Sequence, residues 1–286
     1  MKKSLSKIRA LLLIAASISF FMVSSAFTER QSSNSKEDKK ERYLNEVFEH
    51  VSIQKEVVYG EAVNEKGTKE SLALDIYTPE NDNVKNRPVI VWMHGGGFRH
   101  GNDKTQSYIV EMAKRFAKKG YVCISIDYRL RENPFEDITG TLSDAVSDAT
   151  KALKWVRKNK KSLNIDTSKI IVGGSSAGGI LGSDLFFSGN TSNKDKAGII
   201  GFVNLWGSPS EKWSKLNIGK NVPPTIIVHG TADKLVPYSN SVELVDRLNA
   251  NNVKNELVTF KDAGHTPVKH MDEFEIKIAT FLYDLI

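Results

Sequence analysis

Short apolar runs rich in Val and Ile alternate along most of this chain with longer stretches in which apolar residues recur at helical spacing. The short runs predict strands at Lys55–Ala62, Leu72–Tyr77, Pro88–His94, Tyr121–Asp127, Lys169–Val172, Gly198–Leu205, Pro224–His229 and Glu256–Phe260. The longer stretches predict helices at Tyr108–Lys119, Leu142–Lys160, Ser239–Asn251 and Val268–Ile286. The central runs show little polar alternation, as expected when helices cover both faces of a parallel sheet. The pattern therefore predicts a three-layer α/β fold with a central, mostly parallel, eight-stranded sheet.

The apolar content is sufficient for one large domain. Of the 286 residues, 40% are hydrophobic and 26% are charged, values that are ordinary for a globular protein. The first two predicted strands are joined by the turn Asn64–Gly67 without a helix, so we expect them to pair as an antiparallel hairpin at one edge of the sheet. Residues 51–286 are assigned to this single domain.

Residues 1–26 have the pattern of a secretory signal peptide. Four basic residues precede the apolar run Ala10–Val23, which has about 14 residues against the roughly 20 that span a bilayer. Small residues at Ser24 and Ala26 favour cleavage before Phe27. We therefore expect an exported protein, periplasmic or secreted, with no stable membrane span after cleavage. An uncleaved N-terminal anchor is the alternative.

Residues 27–50 are predicted to form a polar tether followed by a short helix. The sequence QSSNSKEDKKER lacks the hydrophobicity needed to fold alone. The segment Tyr43–Val51 has apolar residues at helical spacing, which predicts a short helix packed against the domain.

Charge and metal-ligand spacing exclude several classes of partner. Without the four basic residues of the predicted signal, the net charge falls from +6 to +2, and the remaining lysines are interleaved with acidic residues, so no nucleic-acid partner is expected. The single cysteine, Cys123, excludes an intramolecular disulfide. The six histidines form no HExxH pattern, so neither a metal nor a cofactor is expected, and a two-histidine site at His94 and His100 is the weaker alternative.

The segment Gly174–Gly178 reads GSSAG and follows a predicted buried strand. This GxSxG pattern between a strand and a helix is typical of a nucleophile elbow, a tight turn that exposes the hydroxyl of its central serine. Ser176 is the predicted nucleophile, and Ser175 is its neighbour.

A glycine-rich loop, His94–Phe98, follows another predicted strand. Backbone amides in such a loop can stabilise the negative charge of a tetrahedral intermediate. The predicted oxyanion-hole donors are Gly96, Gly97 and Ala177. We expect His94 to brace the loop rather than to transfer protons.

Asp233 and His265 each follow a predicted strand, and the chain order Ser, Asp, His is the one in which this type of fold presents its triad. His265 is the predicted base for Ser176, with Asp233 holding its imidazole. Asp262 is the rival acid, although it lies only three residues before His265.

The segments HGGGF, SIDYRL, GGSSAGG, HGTADKLVP and DAGHTP resemble, in this order, the hormone-sensitive-lipase-like esterases and lipases, and more closely their small bacterial carboxylesterase and feruloyl-esterase-like branch. The resemblance extends over about residues 55–286 and implies the α/β-hydrolase fold, with Ser176, Asp233 and His265 at the triad positions. It also implies an oxyanion hole at Gly96, Gly97 and Ala177. Many hormone-sensitive-lipase-like members have Asp where this chain has Ser175, which favours the other branch.

The resemblance implies a large helical cap, but only about 18 residues separate the strand ending at Leu205 from the strand starting at Pro224. We therefore expect little or no cap and a fairly open cleft. Phe98 and Trp206 are the predicted substrate contacts. Phe186 and Phe187 lie well along the helix after Ser176 and are assigned to the core.

The expected reaction is hydrolysis of short-chain or aryl carboxylic esters, on a small molecule or a polysaccharide, through an acyl-enzyme. Predicted export favours acetyl or feruloyl esters of polysaccharides. An amidase or arylformamidase is the alternative, because the same triad can cleave either bond. A non-catalytic binding protein of the same fold is disfavoured, because all three triad residues and the glycine loop are present.

Overall fold

The computed structural model describes residues 42–209, 216–219 and 222–286. Its strands are β1 (Val51–Val63), β2 (Lys69–Pro79), β3 (Arg87–Met93), β4 (Val122–Ile126), β5 (Ile165–Ser175), β6 (Ile199–Leu205), β7 (Thr225–Gly230) and β8 (Asn255–Phe260). Its helices are α1 (Ser107–Lys118), α2 (Ile138–Lys158), α3 (Lys160–Leu163), α4 (Ala177–Phe187), α5 (Tyr238–Ala250) and α6 (Met271–Tyr283), with a 3-10 turn at Val268–His270. The predicted signal peptide and residues 27–41 of the predicted tether lie outside the described residues.

The eight predicted strands form one sheet in the order β1-β2-β4-β3-β5-β6-β7-β8. β1 pairs with β2 and β2 with β4 in antiparallel orientation, whereas all other neighbours are parallel. The mostly parallel sheet and its antiparallel edge hairpin are therefore confirmed.

Helices cover both faces of this sheet. Along β3, Val89, Val91 and Met93 pack with α2, α4 and α5 on one face, while Ile90 and Trp92 pack with α1 and α6 on the other. Every residue of β3 is buried, which explains why the strand is apolar on both faces. Among the helices of the described residues, none is both long and apolar enough to cross a bilayer.

The predicted short helix within Tyr43–Val51 is wrong. Residues 42–50 form turns and bends, and the amides of Tyr43, Val47 and Phe48 donate to carbonyls at the C-terminus of α1 at 2.7–3.0 Å. The last carbonyls of a helix lack partners within it, so this segment satisfies them instead of forming its own helical hydrogen bonds.

The carboxyl ends of the parallel strands lie at one edge of the sheet, where ligands bind in open α/β folds. The glycine loop follows β3, Ser176 follows β5, Asp233 follows β7 and His265 follows β8. The fold therefore brings together residues that are far apart in the sequence.

Candidate active site

Ser176 lies in the sharp turn between β5 and α4. Its backbone has φ 48° and ψ −115°, a conformation that residues with a side chain rarely adopt. The turn is anchored to β6 by the Ser176 amide, which donates to the carbonyl of Leu205 at 2.8 Å. A Cβ at Gly174 would overlap the backbone of Gly178, so the strand can pass this close to the helix only without a side chain there. The turn thus presents the Ser176 hydroxyl at the carboxyl edge of the sheet.

Gly178→Ala is expected to destabilise the fold by about 2 kcal/mol or more, because the new methyl would overlap the backbone carbonyl oxygens of Met93 and His94. Urea unfolding measures this effect. Gly60→Ala is the matched control, since a Cβ at Gly60 meets only the Lys151 side chain, at an ordinary 3.8 Å. Equal unfolding midpoints for the two variants would contradict the proposed close packing at Gly178.

The three predicted triad residues form a continuous hydrogen-bonded chain. Ser176 Oγ lies 2.8 Å from His265 Nε2, and His265 Nδ1 lies 2.7 Å from Asp233 Oδ2. The rival acid Asp262 is exposed, and none of its hydrogen bonds in the described structure involves His265. The geometry therefore favours Asp233 as the acid.

The Asp233 carboxylate is held by both of its oxygens. Oδ1 accepts the amides of Leu235 and Val236 at 2.8 and 3.0 Å, and the side chain has no exposed surface. Burial alone raises the pKa of Asp233, but the hydrogen bonds from His265, Val236 and Leu235 together outweigh burial and hold this pKa below its usual value. Asp233 is therefore an anion that can stabilise a protonated His265.

Three backbone amides beside Ser176 find no acceptor among the described residues. The amide of Gly95 donates to Gln106 Oε1 at 2.8 Å, so it is already satisfied. In the described part of the chain, the amides of Gly96, Gly97 and Ala177 donate to no protein atom, and all three residues line the same cleft as Ser176. Unpaired donors facing a nucleophile are the arrangement that stabilises an oxyanion.

His94 and Tyr128 support the glycine loop from below. Their rings stack at a centroid distance of 4.4 Å, and the Tyr128 hydroxyl donates to the His94 carbonyl at 2.8 Å. His94 Nδ1 lies 2.7 Å from the Gly95 carbonyl, so this nitrogen carries a proton and donates. His94 is fully buried and burial lowers its pKa, which agrees with the expected bracing role.

The cleft above Ser176 has a volume of about 450 Å³. Its polar lining contains Gln106, Tyr108, Ser176, His265 and Thr266, and its apolar lining contains Phe98, Phe135, Ala177, Ile180, Leu235 and Val236. Phe135 and Leu235 stand at the opening, with 48% and 70% of their surfaces exposed. The described residues of the β6–β7 connection contain no helix.

Two family models match successive parts of the chain. A model described as BD-FAE matches residues 74–201, which carry the glycine loop and Ser176. A model described as prolyl oligopeptidase family matches residues 206–284, which carry Asp233 and His265.

Curated relatives include Esterase LipC of Mycobacterium tuberculosis, 26% identical over 222 residues, and isoprenylcysteine alpha-carbonyl methylesterase ICME of Arabidopsis thaliana, 24% identical over 259 residues. These alignments cover 62% and 75% of this chain, and 52% and 56% of the respective relatives. The chain thus spans about half the length of the curated relatives that it matches.

Solved structures share the fold. The apo form of Thermogutta terrifontis esterase 2 superposes with a TM-score of 0.63 at 23% identity, over 82% of this chain and 94% of that one. MGS-M1, an α/β hydrolase enzyme from a deep-sea metagenome library, superposes with a TM-score of 0.64 at 22% identity, over 83% and 100%. The chain therefore has the α/β-hydrolase fold of these two structures. The predicted resemblance is confirmed.

One of the two predicted substrate contacts of this α/β-hydrolase is wrong. Trp206 is fully buried, and its ring makes edge-on contacts with Tyr108 at 5.7 Å and with Phe274 of α6 at 6.0 Å. It therefore fills the core on the α1 and α6 side of the sheet. Phe98 lies in the wall of the cleft, although only 1% of its surface is exposed. Phe186 is fully buried in the core, as expected.

Three residues of the site were absent from the sequence prediction. Gln106 fixes the glycine loop through Gly95, and Tyr108 lines the cleft and accepts a hydrogen bond from Ser175 Oγ at 3.3 Å. His229 lies 3.0 Å from Asp233. Its position at the end of a strand, in the same HGTAD segment as the acid, is the signal that could have identified it.

Two other kinds of reactive site, a metal cluster and an activated thiol, are absent from the described residues. No group of three or more His, Cys, Asp or Glu side chains among them is arranged to hold a metal ion. Cys123 is fully buried in β4, and burial raises the pKa of its thiol, which suppresses the reactive thiolate.

Proposed function

We propose that this α/β-hydrolase is a carboxylesterase that cleaves short-chain or aryl esters through an acyl-enzyme on Ser176. The observation that carries the proposal is the contact between Ser176 Oγ and His265 Nε2, at 2.8 Å, in a cleft that also contains three unpaired amides. A nucleophile, its base and pre-aimed oxyanion donors are the parts that acyl transfer requires.

Acylation begins when Ser176 Oγ attacks the ester carbonyl carbon and His265 Nε2 takes the hydroxyl proton. The carbonyl oxygen becomes an oxyanion facing the amides of Gly96, Gly97 and Ala177, each contributing roughly 3 kcal/mol to its stabilisation. The intermediate collapses, the bond to the leaving oxygen breaks, and His265 gives its proton to the departing alcohol. Asp233 stabilises the imidazolium throughout.

Deacylation repeats these steps with water as the nucleophile. His265 takes a proton from the water as its oxygen bonds to the acyl carbon. Collapse of the second intermediate breaks the bond to Ser176 Oγ, which recovers its proton from His265. The products are the carboxylic acid and the free enzyme.

The size and lining of the cleft suit a small apolar acyl or aryl group. Ile180, Val236 and Leu235 offer apolar surface beside Ser176, and a volume of about 450 Å³ accommodates a short chain or one aromatic ring with its linker. The exposed position of Leu235 leaves room for a bulky alcohol at the opening. Acetyl or feruloyl esters of a polysaccharide are therefore the proposed substrates. The proposed export directed by residues 1–26 would bring the enzyme to such a polymer.

A panel of p-nitrophenyl esters from acetate to palmitate, together with methyl ferulate and the p-nitroanilides of the same acids, tests the function. We expect kcat/KM to be highest for short-chain or aryl esters and to fall steeply towards palmitate, because the cleft is too small for a long chain. A fluorophosphonate probe should label the enzyme, since it reacts with an activated serine.

The amide alternative rests on the match of residues 206–284 to the prolyl oligopeptidase family model. The segment that carries the nucleophile and the glycine loop matches the BD-FAE model instead. Turnover of the anilides with inert esters would replace the esterase proposal by an amidase. If the protein were neither labelled nor active on any of these substrates, the hypothesis of a non-catalytic binding protein would remain.

A further inference from the structure

A second buried histidine contacts the carboxylate oxygen that His265 uses. His229 Nε2 lies 3.0 Å from Asp233 Oδ2 and 2.9 Å from the carbonyl of Val236, and its side chain is fully buried at the end of β7. Two imidazoles thus share one oxygen of Asp233, and one of them, His265, connects this oxygen to Ser176 Oγ. The mechanism above leaves His229 without a role.

The contacts of His229 fix its tautomer. Both neighbours of Nε2, a carboxylate and a backbone carbonyl, can only accept, so Nε2 carries a proton. Nδ1 lies 2.6 Å from Ser241 Oγ, and in the neutral ring Nδ1 accepts the serine proton. Burial is the main cause that lowers the pKa of His229, which keeps the ring neutral.

The hydrogen bonds behind His229 continue in the same direction. Ser241 Oγ gives its proton to His229, so at 2.7 Å it accepts from Ser208 Oγ, and Ser208 accepts in turn from Asn204 Nδ2 at 3.4 Å. The amide of Gly207 donates to Asn204 Oδ1 at 2.9 Å, which sets the orientation of the Asn204 amide. All these side chains are buried, and each hydrogen bond in the series from Asn204 through Ser208 and Ser241 to His229 is donated towards Asp233.

We propose that His229 is a positioning residue: a neutral, Nε2-protonated imidazole that orients the Asp233 carboxylate for His265. This proposal rests on the proposed hydrolase mechanism. Without His229, Oδ2 keeps a single side-chain donor and the carboxylate can rotate away from the His265 ring. Because His229 is neutral, Asp233 retains its full negative charge for the imidazolium of His265. The groups that face His229 are Asp233, Ser241, His265 and the ring of Tyr238, whose centroid is 5.7 Å away.

Two substitutions separate the two sides of the ring. His229→Gln places an amide nitrogen near the position of Nε2 and can still donate to Asp233. His229→Asn reaches only as far as Nδ1, so it keeps a polar partner for Ser241 and loses the donor to Asp233. We expect His229→Asn to lower kcat on the order of 10- to 100-fold with little change in KM, and His229→Gln to stay within about fivefold of wild type.

The pH profile gives a readout that a purely structural role would not change. Loss of the His229 donor concentrates negative charge on the bond to His265 and favours its imidazolium. The acid limb of kcat/KM should therefore move to higher pH in His229→Asn and stay in place in His229→Gln. Equal kcat and equal acid limbs in wild type and His229→Asn would overturn the proposal, as would equal impairment of the two variants.

The ¹⁵N NMR signals of the histidine rings test the same proposal in the wild-type protein, even if a variant fails to fold. The signal assigned to His229 should report the neutral Nε2–H tautomer at the pH of maximal activity. An Nδ1–H tautomer or a doubly protonated ring at that pH would overturn the proposal. The tautomer does not depend on turnover, so an inactive wild type with the expected tautomer would refute the proposed function alone.

Discussion

Ser176→Ala is expected to lower kcat/KM for a short-chain p-nitrophenyl ester on the order of 10⁴-fold or more, and to abolish fluorophosphonate labelling. The hydroxyl removed is the atom 2.8 Å from His265 Nε2. Without it no acyl-enzyme can form, and only the oxyanion donors remain to act on a water attack. Steady-state hydrolysis and probe labelling measure the loss.

Ser175→Ala is the matched control for this prediction. Ser175 Oγ is buried and donates to the Tyr108 hydroxyl at 3.3 Å. Its loss removes one weak hydrogen bond and leaves the hydrogen bonds among Ser176, His265 and Asp233 intact. We expect this variant to keep activity within a few-fold of wild type and to be labelled. A labelled and active Ser176→Ala protein, or an inactive but folded Ser175→Ala protein, would mean that the nucleophile is wrongly assigned.

Much of the fold could be predicted because each strand carries its own signal. β3 is apolar on both faces, and glycine, proline or polar turn residues flank it in the sequence. The hydrophobic pattern and the flanking turn residues therefore predict the same strand. The short helix predicted within Tyr43–Val51 is wrong for the opposite reason. Its apolar spacing is helical, yet the carbonyls of Lys118 and Lys119 at the end of α1 accept hydrogen bonds from its amides. Such partners are set by tertiary contacts and leave no local pattern.

The candidate active site also combines features that have a local sequence signal with features that depend on tertiary contacts. Ser176 and the glycine loop are defined by backbone turns that need glycine at particular positions, so the sequence itself carries their geometry. The role of Trp206 depends on the orientation of its side chain after β6 ends, which the local sequence does not determine. In the structure the side chain contacts Phe274 instead of lining the cleft. The hydrogen-bonded chain that runs through His229 combines Ser208 of the β6–β7 connection, Asp233 of the β7–α5 loop and Ser241 of α5, and only the folded chain brings Ser208 to the other two.

Asp233→Asn is expected to lower kcat by about 10⁴-fold while leaving KM for the same ester nearly unchanged. An amide cannot satisfy its surroundings in either orientation. If its oxygen keeps the amides of Leu235 and Val236, its NH₂ group faces His265 Nδ1 and pushes the ring into the tautomer that cannot accept the Ser176 proton. If the group flips, NH₂ faces the two backbone N–H groups. Single-turnover kinetics with p-nitrophenyl acetate would show the loss in the acylation step.

Asp262→Asn distinguishes the two acids that the sequence offers. Asp262 is exposed, and its amide, not its carboxylate, makes its contact with Thr231. We expect this variant to keep kcat within about twofold, because surface substitutions of this kind change little. A thermal midpoint near that of wild type for Asp233→Asn would assign its loss of activity to chemistry. If Asp262→Asn were inactive and Asp233→Asn were active, the acid would have to come from the loop of His265, and the buried carboxylate with four donors would be purely structural.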